Sequence, residues 1–233
     1  MSTATYGTAF IIGAGHGLSA SLARLLRTEG LQVALAARDT SKLEPLAEEI
    51  GALTVEADAA DPRSMAAAFR RVDERIGPAD VVVYNASARL RGPLVELDAA
   101  AVRTALEVSA FGGFLAAQEA ARRMLSKGSG AILFTGASAS IKGYAQSAPF
   151  AMGKFALRGL AQSMARELAP RGIHVAHFVI DGAIRSASRP TAAEAPDSQL
   201  DPDAIARTYL HVLRQDRSAW TWEVELRPWV ERF

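Results

Sequence analysis

The chain has 233 residues, enough for one α/β domain with a substantial core, and its 26 basic and 25 acidic residues leave a net charge of +1, so no broad field draws it to nucleic acid or to an anionic membrane. It has no cysteine, which excludes thiol catalysis, cysteine-ligated zinc and disulfides and fits a reducing cytoplasm. Its four histidines, His16, His174, His177 and His211, lack HExxH spacing; the N-terminus lacks a signal-peptide pattern and no apolar run approaches the roughly 18 residues that span a bilayer, so a soluble cytoplasmic protein without a metal is expected, with a local site for a small-molecule substrate.

Short β-rich runs alternate along the chain with stretches of helical period. The pattern predicts strands at Thr8-Ile12, Gln32-Ala36, Leu53-Ala57, Asp80-Tyr84, Ala131-Phe134, His174-Ile180 and Thr221-Leu226. Helices are predicted at Gly17-Glu29, Ser41-Ile50, Pro62-Ile76, Ala99-Ser126, Ala148-Ala169 and Asp201-Gln215. Asp61-Pro62 and Asp201-Pro202 read as helix starts, with the acid as N-cap and proline in the first turn. Buried parallel strands should be almost continuously apolar, as Val81-Val82-Val83 and Ala131-Ile132-Leu133-Phe134 are. Right-handed crossovers then give an α/β fold, a single Rossmann-type doubly wound parallel seven-stranded sheet with helices on both faces, over residues 1–233. One stretch, Gly182 to Leu200, reads as irregular; following a strand's carboxyl end, it is expected to form a substrate lid.

The first strand runs into Gly13-Ala14-Gly15-His16-Gly17-Leu18-Ser19. Glycines at a strand-to-helix turn let the backbone approach a pyrophosphate, whose charge the helix N-terminal amides meet. Leu18 stands where GxGxxG would have its third glycine. The second strand ends at Arg38, where an acid would suit an NAD ribose hydroxyl and a guanidinium suits a 2′-phosphate. NADP(H) is therefore expected ahead of NAD(H), the other reading of Arg38 being a solvated neighbour of Asp39.

Through these residues, the chain resembles the short-chain dehydrogenase/reductase superfamily over nearly its whole length. The turn is similar to that family's Gly-x-x-x-Gly-x-Gly, with Ser19 replacing the last glycine. By the same resemblance, Gly13, Gly15, His16, Gly17 and Leu18 would line the pyrophosphate, Asp58 and Ala59 the adenine, and Asn85 and Ala86 the cofactor cleft. Lys154 would bind the nicotinamide ribose, while Gly182, Ile184 and Ser186, with Asp181 in place of a proline, would hold the nicotinamide end. A homodimer or homotetramer is implied too, through the two long helices and through the last strand, whose tail carries all three tryptophans. Those tryptophans read equally as core.

The resemblance implies a catalytic tetrad of Asn, Ser, Tyr and Lys. Carried over, Ser109 stands for Asn, Phe150 for Tyr, and Lys154 is kept; the serine falls on Ala137 by spacing, with Ser138 one residue later. A phenyl ring has no proton to give, so Ser138, Tyr144 or a water held by Lys154 are the substitute donors. Two readings stay open: an oxidoreductase acting on a small carbonyl or alcohol with a non-standard donor, or a weak or inactive NADP(H)-binding sensor. Arg89, Arg91, Arg185 and Arg189 are candidates for selecting an anionic substrate, or scattered surface charges. His174 and His177, in an apolar strand, read as packed residues.

Overall fold

In the computed structural model, residues 6–186, 195 and 197–231 are described. Seven parallel strands form one sheet in the order β3-β2-β1-β4-β5-β6-β9. These are β1 (Thr8–Ile12), β2 (Gln32–Ala37), β3 (Leu53–Glu56), β4 (Val81–Tyr84), β5 (Gly130–Thr135), β6 (Ile173–Ile180) and β9 (Glu223–Leu226). Period-2 alternation sorts the strand side chains into two cores: Ile11, Val83 and Leu133 face one side, and Phe10, Val82 and Ile132 the other. Helices α1 (Leu18–Thr28), α2 (Glu44–Ile50) and α7 (Pro202–Leu213) cover the first core. Helices α3 (Pro62–Ile76), α5 (Gly112–Lys127) and α6 (Ala148–Leu168) cover the second. Strand order reverses between β1 and β4, so the crevice beyond the strands' carboxyl ends opens there.

Three expectations need correction. The helix predicted over Ala99-Ser126 is divided: α4 (Ala99–Leu106) is joined to α5 by a π turn at Glu107–Phe111. Two tertiary bonds account for it. The buried Tyr84 hydroxyl donates to the Val108 carbonyl, and Ser109 Oγ bonds the loop after β4, giving the widened turn polar partners outside the helix. Second, Gly182-Leu200 is not wholly irregular. Strand β7 (Ala183–Ile184) pairs in parallel with β8 (Gln199–Leu200), tying the segment's ends together, while residues 187–194 and 196 of the expected lid, Arg189 among them, lie outside the described residues. Third, residues 99–127 taken across the π turn are long and apolar enough, by length and composition alone, to cross a membrane. One face of that run, including Leu115, Ala116, Ala120 and Met124, is buried in the second core.

Candidate active site

The crevice begins at the glycine turn. Gly13 and Ala14 donate their amides to the Ala36 carbonyl at 3.0 and 2.9 Å, fastening the turn to β2. Gly13 has φ +81°, and a Cβ there would overlap the Ala86 backbone, so only glycine lets the first turn and the loop after β4 approach this closely. A Cβ on Gly15 or Gly17 would meet nothing within 4 Å, which leaves that side of the turn open to a ligand. Ser19 acts as a strut: its Oγ donates to the Gly13 carbonyl at 3.3 Å and accepts from Asn85 Nδ2 at 2.7 Å. Asn85 Nδ2 also reaches the Gly13 carbonyl at 3.3 Å.

Helix α1 starts without a side-chain cap, whereas Asp61, Asp98 and Asp201 cap α3, α4 and α7. Its first amides are thus left for an anion at the positive end of the helix dipole. His16 is exposed in the turn and Leu18 is buried. Arg38, just past β2, is exposed and has no hydrogen-bond or ion-pair partner among the described residues. Its neighbour Asp39 is engaged elsewhere, by Ser41 Oγ at 2.6 Å and Lys42 at 3.5 Å; the Ser41 bonds hold its carboxyl below the ordinary value. Asp58 closes its own turn on the Ala60 amide at 3.0 Å. Ala59 is buried where a Cβ on Gly112 would strike its carbonyl.

Lys154 lies on α6, 3% exposed, and donates to the Thr135 carbonyl at 2.7 Å. Burial pulls its ammonium down to a pKa of about 8. One turn earlier on the same helix, Phe150 is also buried, its ring centroid 5.9 Å from Lys154 Nζ and 4.9 Å from Arg89 Cζ. Ser138 opens a 3₁₀ turn after β5, and its half-buried hydroxyl has no hydrogen-bond partner among the described residues. Tyr144 is 47% exposed, its ring 6.0 Å from Lys142 Nζ. Ser109 is fully occupied: its Oγ accepts from the Ala88 amide at 3.1 Å and donates to the Ala88 carbonyl at 3.4 Å.

A glycine turn, a cation after β2, an asparagine loop after β4 and a buried lysine on α6 thus converge on one crevice. The family profile described as short chain dehydrogenase matches residues 7–195. The chain belongs to the short-chain dehydrogenase family. It is similar to a short-chain dehydrogenase from Rhodopseudomonas palustris, 36% identical, with a TM-score of 0.83 over 96% of this chain and 99% of that one. It is similar also to an alcohol dehydrogenase from Thermococcus sibiricus complexed with 5-hydroxy-NADP, 25% identical, with a TM-score of 0.86 over 97% and 98% of the two chains. An uncharacterized oxidoreductase of Staphylococcus aureus strain USA300 is 26% identical over 98% of this chain and all of its own length. Such membership makes the protein a dehydrogenase or reductase that uses a nicotinamide cofactor.

Behind the crevice of this dehydrogenase runs a polar chain that the reading of His177 as a packed residue missed. His177 is fully buried; its Nε2 meets Ser140 Oγ at 3.3 Å and its Nδ1 meets Glu223 Oε2 at 3.1 Å. Glu223 in turn takes a two-point contact from Arg158 at 2.6 and 2.7 Å. Burial pulls His177 down to about 4, and although burial opposes it, Arg158 and His177 hold Glu223 below its ordinary value. The imidazole is therefore neutral at pH 7. Its neutral form fits a Nδ1–H donated to Glu223 and a Nε2 accepting from Ser140. The order Ser-His-Glu resembles a hydrolytic triad, but Ser140 is fully buried and accepts from the Ala137 amide at 3.1 Å, so no substrate reaches it.

At the sheet's far end, Asp181 is buried and paired with Lys142 at 3.2 Å; that hydrogen bond raises the lysine's pKa. Gly182 has φ +149°, and a Cβ there would press Leu200 and Pro228 at 2.9 Å. Ile184 lies in β7, with Ser186 two residues after it. Arg185 is paired with Asp201 at 3.2 Å and so is not a spare cation. Of the tryptophans, Trp220 stacks on His174 with centroids 4.5 Å apart, Trp222 lies 5.7 Å from Arg158, and Trp229 is 81% exposed. The tail is thus split between packing and surface.

Proposed function

We propose that this short-chain dehydrogenase uses NADP(H) in preference to NAD(H) and transfers hydride between the nicotinamide and a small carbonyl or alcohol, with a proton donor other than tyrosine. When bound, the reduced cofactor supplies the hydride. The protein must then bind, orient and protonate. The turn at Gly13, Gly15, His16 and Gly17 with the Leu18 amide takes the pyrophosphate, and Arg38 takes the 2′-phosphate. Asp58 and Ala59 border the adenine; Asn85, Ala86, Gly182, Ile184 and Ser186 border the nicotinamide half. The cofactor-bound Thermococcus sibiricus relative supports the NADP reading.

The observation that carries the proposal is Lys154. It is buried, spends one of its three N–H bonds on Thr135, and has its pKa drawn down to about 8. A lysine so placed holds the ribose and, through a water it binds, gives a proton near neutral pH. Phe150 occupies the position of the family's tyrosine and gives none. The Ser138 hydroxyl, without a hydrogen-bond partner among the described residues, polarises the carbonyl oxygen, while Tyr144, exposed and turned to Lys142, stays at the rim. A homodimer or homotetramer forms through the face that exposes Phe111 and Phe114, stacked at 6.1 Å, beside Met152 and Phe155 of α6; sedimentation equilibrium checks it.

The deciding test of the cofactor assignment is a calorimetric titration of wild type and Arg38→Ala with NADPH and NADH. NADPH should bind more tightly, and the variant should lose about 1.5–3 kcal/mol for NADPH alone. Equal affinities in the wild type would remove the role of Arg38, and failure to bind either would end the proposal.

A further inference from the structure

The turn that presents Ser138 is fastened by its own backbone and by β6. The Ser138 carbonyl accepts from the Ile141 and Lys142 amides, both at 3.0 Å. Ser140 closes on Ala137 twice: its amide donates to the Ala137 carbonyl at 2.7 Å and its Oγ accepts from the Ala137 amide at 3.1 Å. From β6 and the residue after it come three more ties. The Phe178 carbonyl accepts from the Gly136 amide at 2.7 Å, His177 Nε2 meets Ser140 Oγ at 3.3 Å, and Asp181 meets Lys142 at 3.2 Å. The middle tie depends on where the imidazole carries its proton. Glu223, gripped by Arg158 at 2.6 and 2.7 Å, is a carboxylate and can only accept, so its contact with His177 Nδ1 at 3.1 Å puts the ring proton there. Nε2 is then left with a lone pair. Ser140 Oγ already accepts from Ala137 and has its hydrogen to give, which fixes the direction of the bond. A chain of donors thus runs from the Ala137 amide through Ser140 and His177 to Glu223, and the hydroxyl of Ser138, one residue after Ala137, stands beside it without a hydrogen-bond partner among the described residues.

We infer that His177 is a positioning residue for the reaction: set in one tautomer by Glu223, it holds Ser140, and through Ser140 the turn that aims the Ser138 hydroxyl at the carbonyl oxygen. This rests on the oxidoreductase reading above and adds to it a fully buried residue that acts through another.

The test turns on which half of the ring is kept. A glutamine amide reaches the place of Nε2 and keeps an acceptor opposite Ser140, whereas an asparagine amide reaches only the place of Nδ1. With the whole protein, NADPH and methyl phenylglyoxylate, His177→Asn should lower kcat by about 10- to 100-fold, the cost of a reacting group misplaced by about 1 Å, with KM and NADPH affinity little changed. His177→Gln should recover most of that loss. In a Ser138→Ala background, adding His177→Asn should cost nothing further, because the group it aims is gone; a merely structural role would cost as much there. A second arm needs no turnover. The chain has no cysteine, so Ser138→Cys carries a single thiol, whose alkylation by iodoacetamide should speed up when His177→Asn is added and hold its rate with His177→Gln. Nitrogen-15 NMR at pH 7 should show His177 protonated on Nδ1 and bare on Nε2. If His177→Asn does not fold, Ser140→Ala removes the same bond from its other end and takes its place. Equal kcat in His177→Asn and His177→Gln, an undiminished loss in the Ser138→Ala background, an alkylation rate indifferent to residue 177, or a ring protonated on Nε2 would each overturn the inference. If NADPH binds and wild type does not reduce the ketone, the alkylation and NMR arms still decide the role of His177, and the missing turnover counts against the oxidoreductase reading alone.

Discussion

Replacing Lys154 by methionine should make the protein more stable while removing its activity. Methionine has nearly the same length and no charge to desolvate. Burial lowers the lysine from 10.5 to about 8, so the unfolded chain keeps its proton up to about pH 10.5 and the folded one only up to about pH 8. Below pH 8 the folded state carries the full penalty, about 3 kcal/mol for a displacement of that size. The penalty shrinks between pH 8 and 10.5 and is gone above. Losing the bond to the Thr135 carbonyl gives back about 1–2 kcal/mol, leaving a net gain near pH 7 of about 1–2 kcal/mol, or roughly 2–8 °C in Tm for a chain of this size. Urea unfolding at pH 7 and pH 10.5 measures it, alongside NADPH-dependent carbonyl reduction, which should fall at least about 100-fold. A variant less stable than wild type at pH 7, or a gain that does not shrink toward pH 10.5, would refute the reasoning, since Lys154 would then not be held against its solvation.

Phe150→Tyr adds a hydroxyl beside Lys154 and keeps the ring under Arg89; it should raise NADPH-dependent reduction of activated carbonyls at least about tenfold with little change in cofactor affinity. A folded, NADPH-binding variant with no gain across a carbonyl panel would count against the missing-donor account. His177 is held at about 4 against an ordinary 6.5, so the unfolded chain binds the extra proton between those values and stability should fall by about 3 kcal/mol as pH drops through that window. In His177→Gln the slope from pH 6.5 to 4 should flatten in urea titrations; an unchanged slope would place the acid sensitivity elsewhere.

Much of this fold is legible in the sequence because its strands are apolar runs and its helices announce their caps. Val81–Tyr84 and Ala131–Phe134 could hardly be anything but buried parallel strands, and Asp61 and Asp201 do cap their helices. The glycine turn at 13–17 was legible for the same local reason, since its glycines are adjacent in sequence. What escaped depends on contacts between distant segments. Nothing within 99–126 signals the π turn, because its bonds come from Tyr84 and from Ala88. Arg89 reads as one surface arginine among several until Phe150, 61 residues on, is seen beneath it. His177 sits in an apolar strand and reads as packing; its partners Ser140 and Glu223 lie 37 and 46 residues away.

Gly136 and His177 occupy nearly the same space: a Cβ at 136 would run into the imidazole and would stand 2.7 Å from the Phe178 carbonyl. Glycine at 136 is therefore required twice over, by the imidazole and by a backbone carbonyl that no substitution at 177 removes. The entrance to the turn carrying Ser138 is thus pressed against the backbone of β6. Libraries meant to move the proton donor into this turn should hold 136 as glycine and vary the positions after it, since the Phe178 carbonyl leaves no room for a side chain at 136.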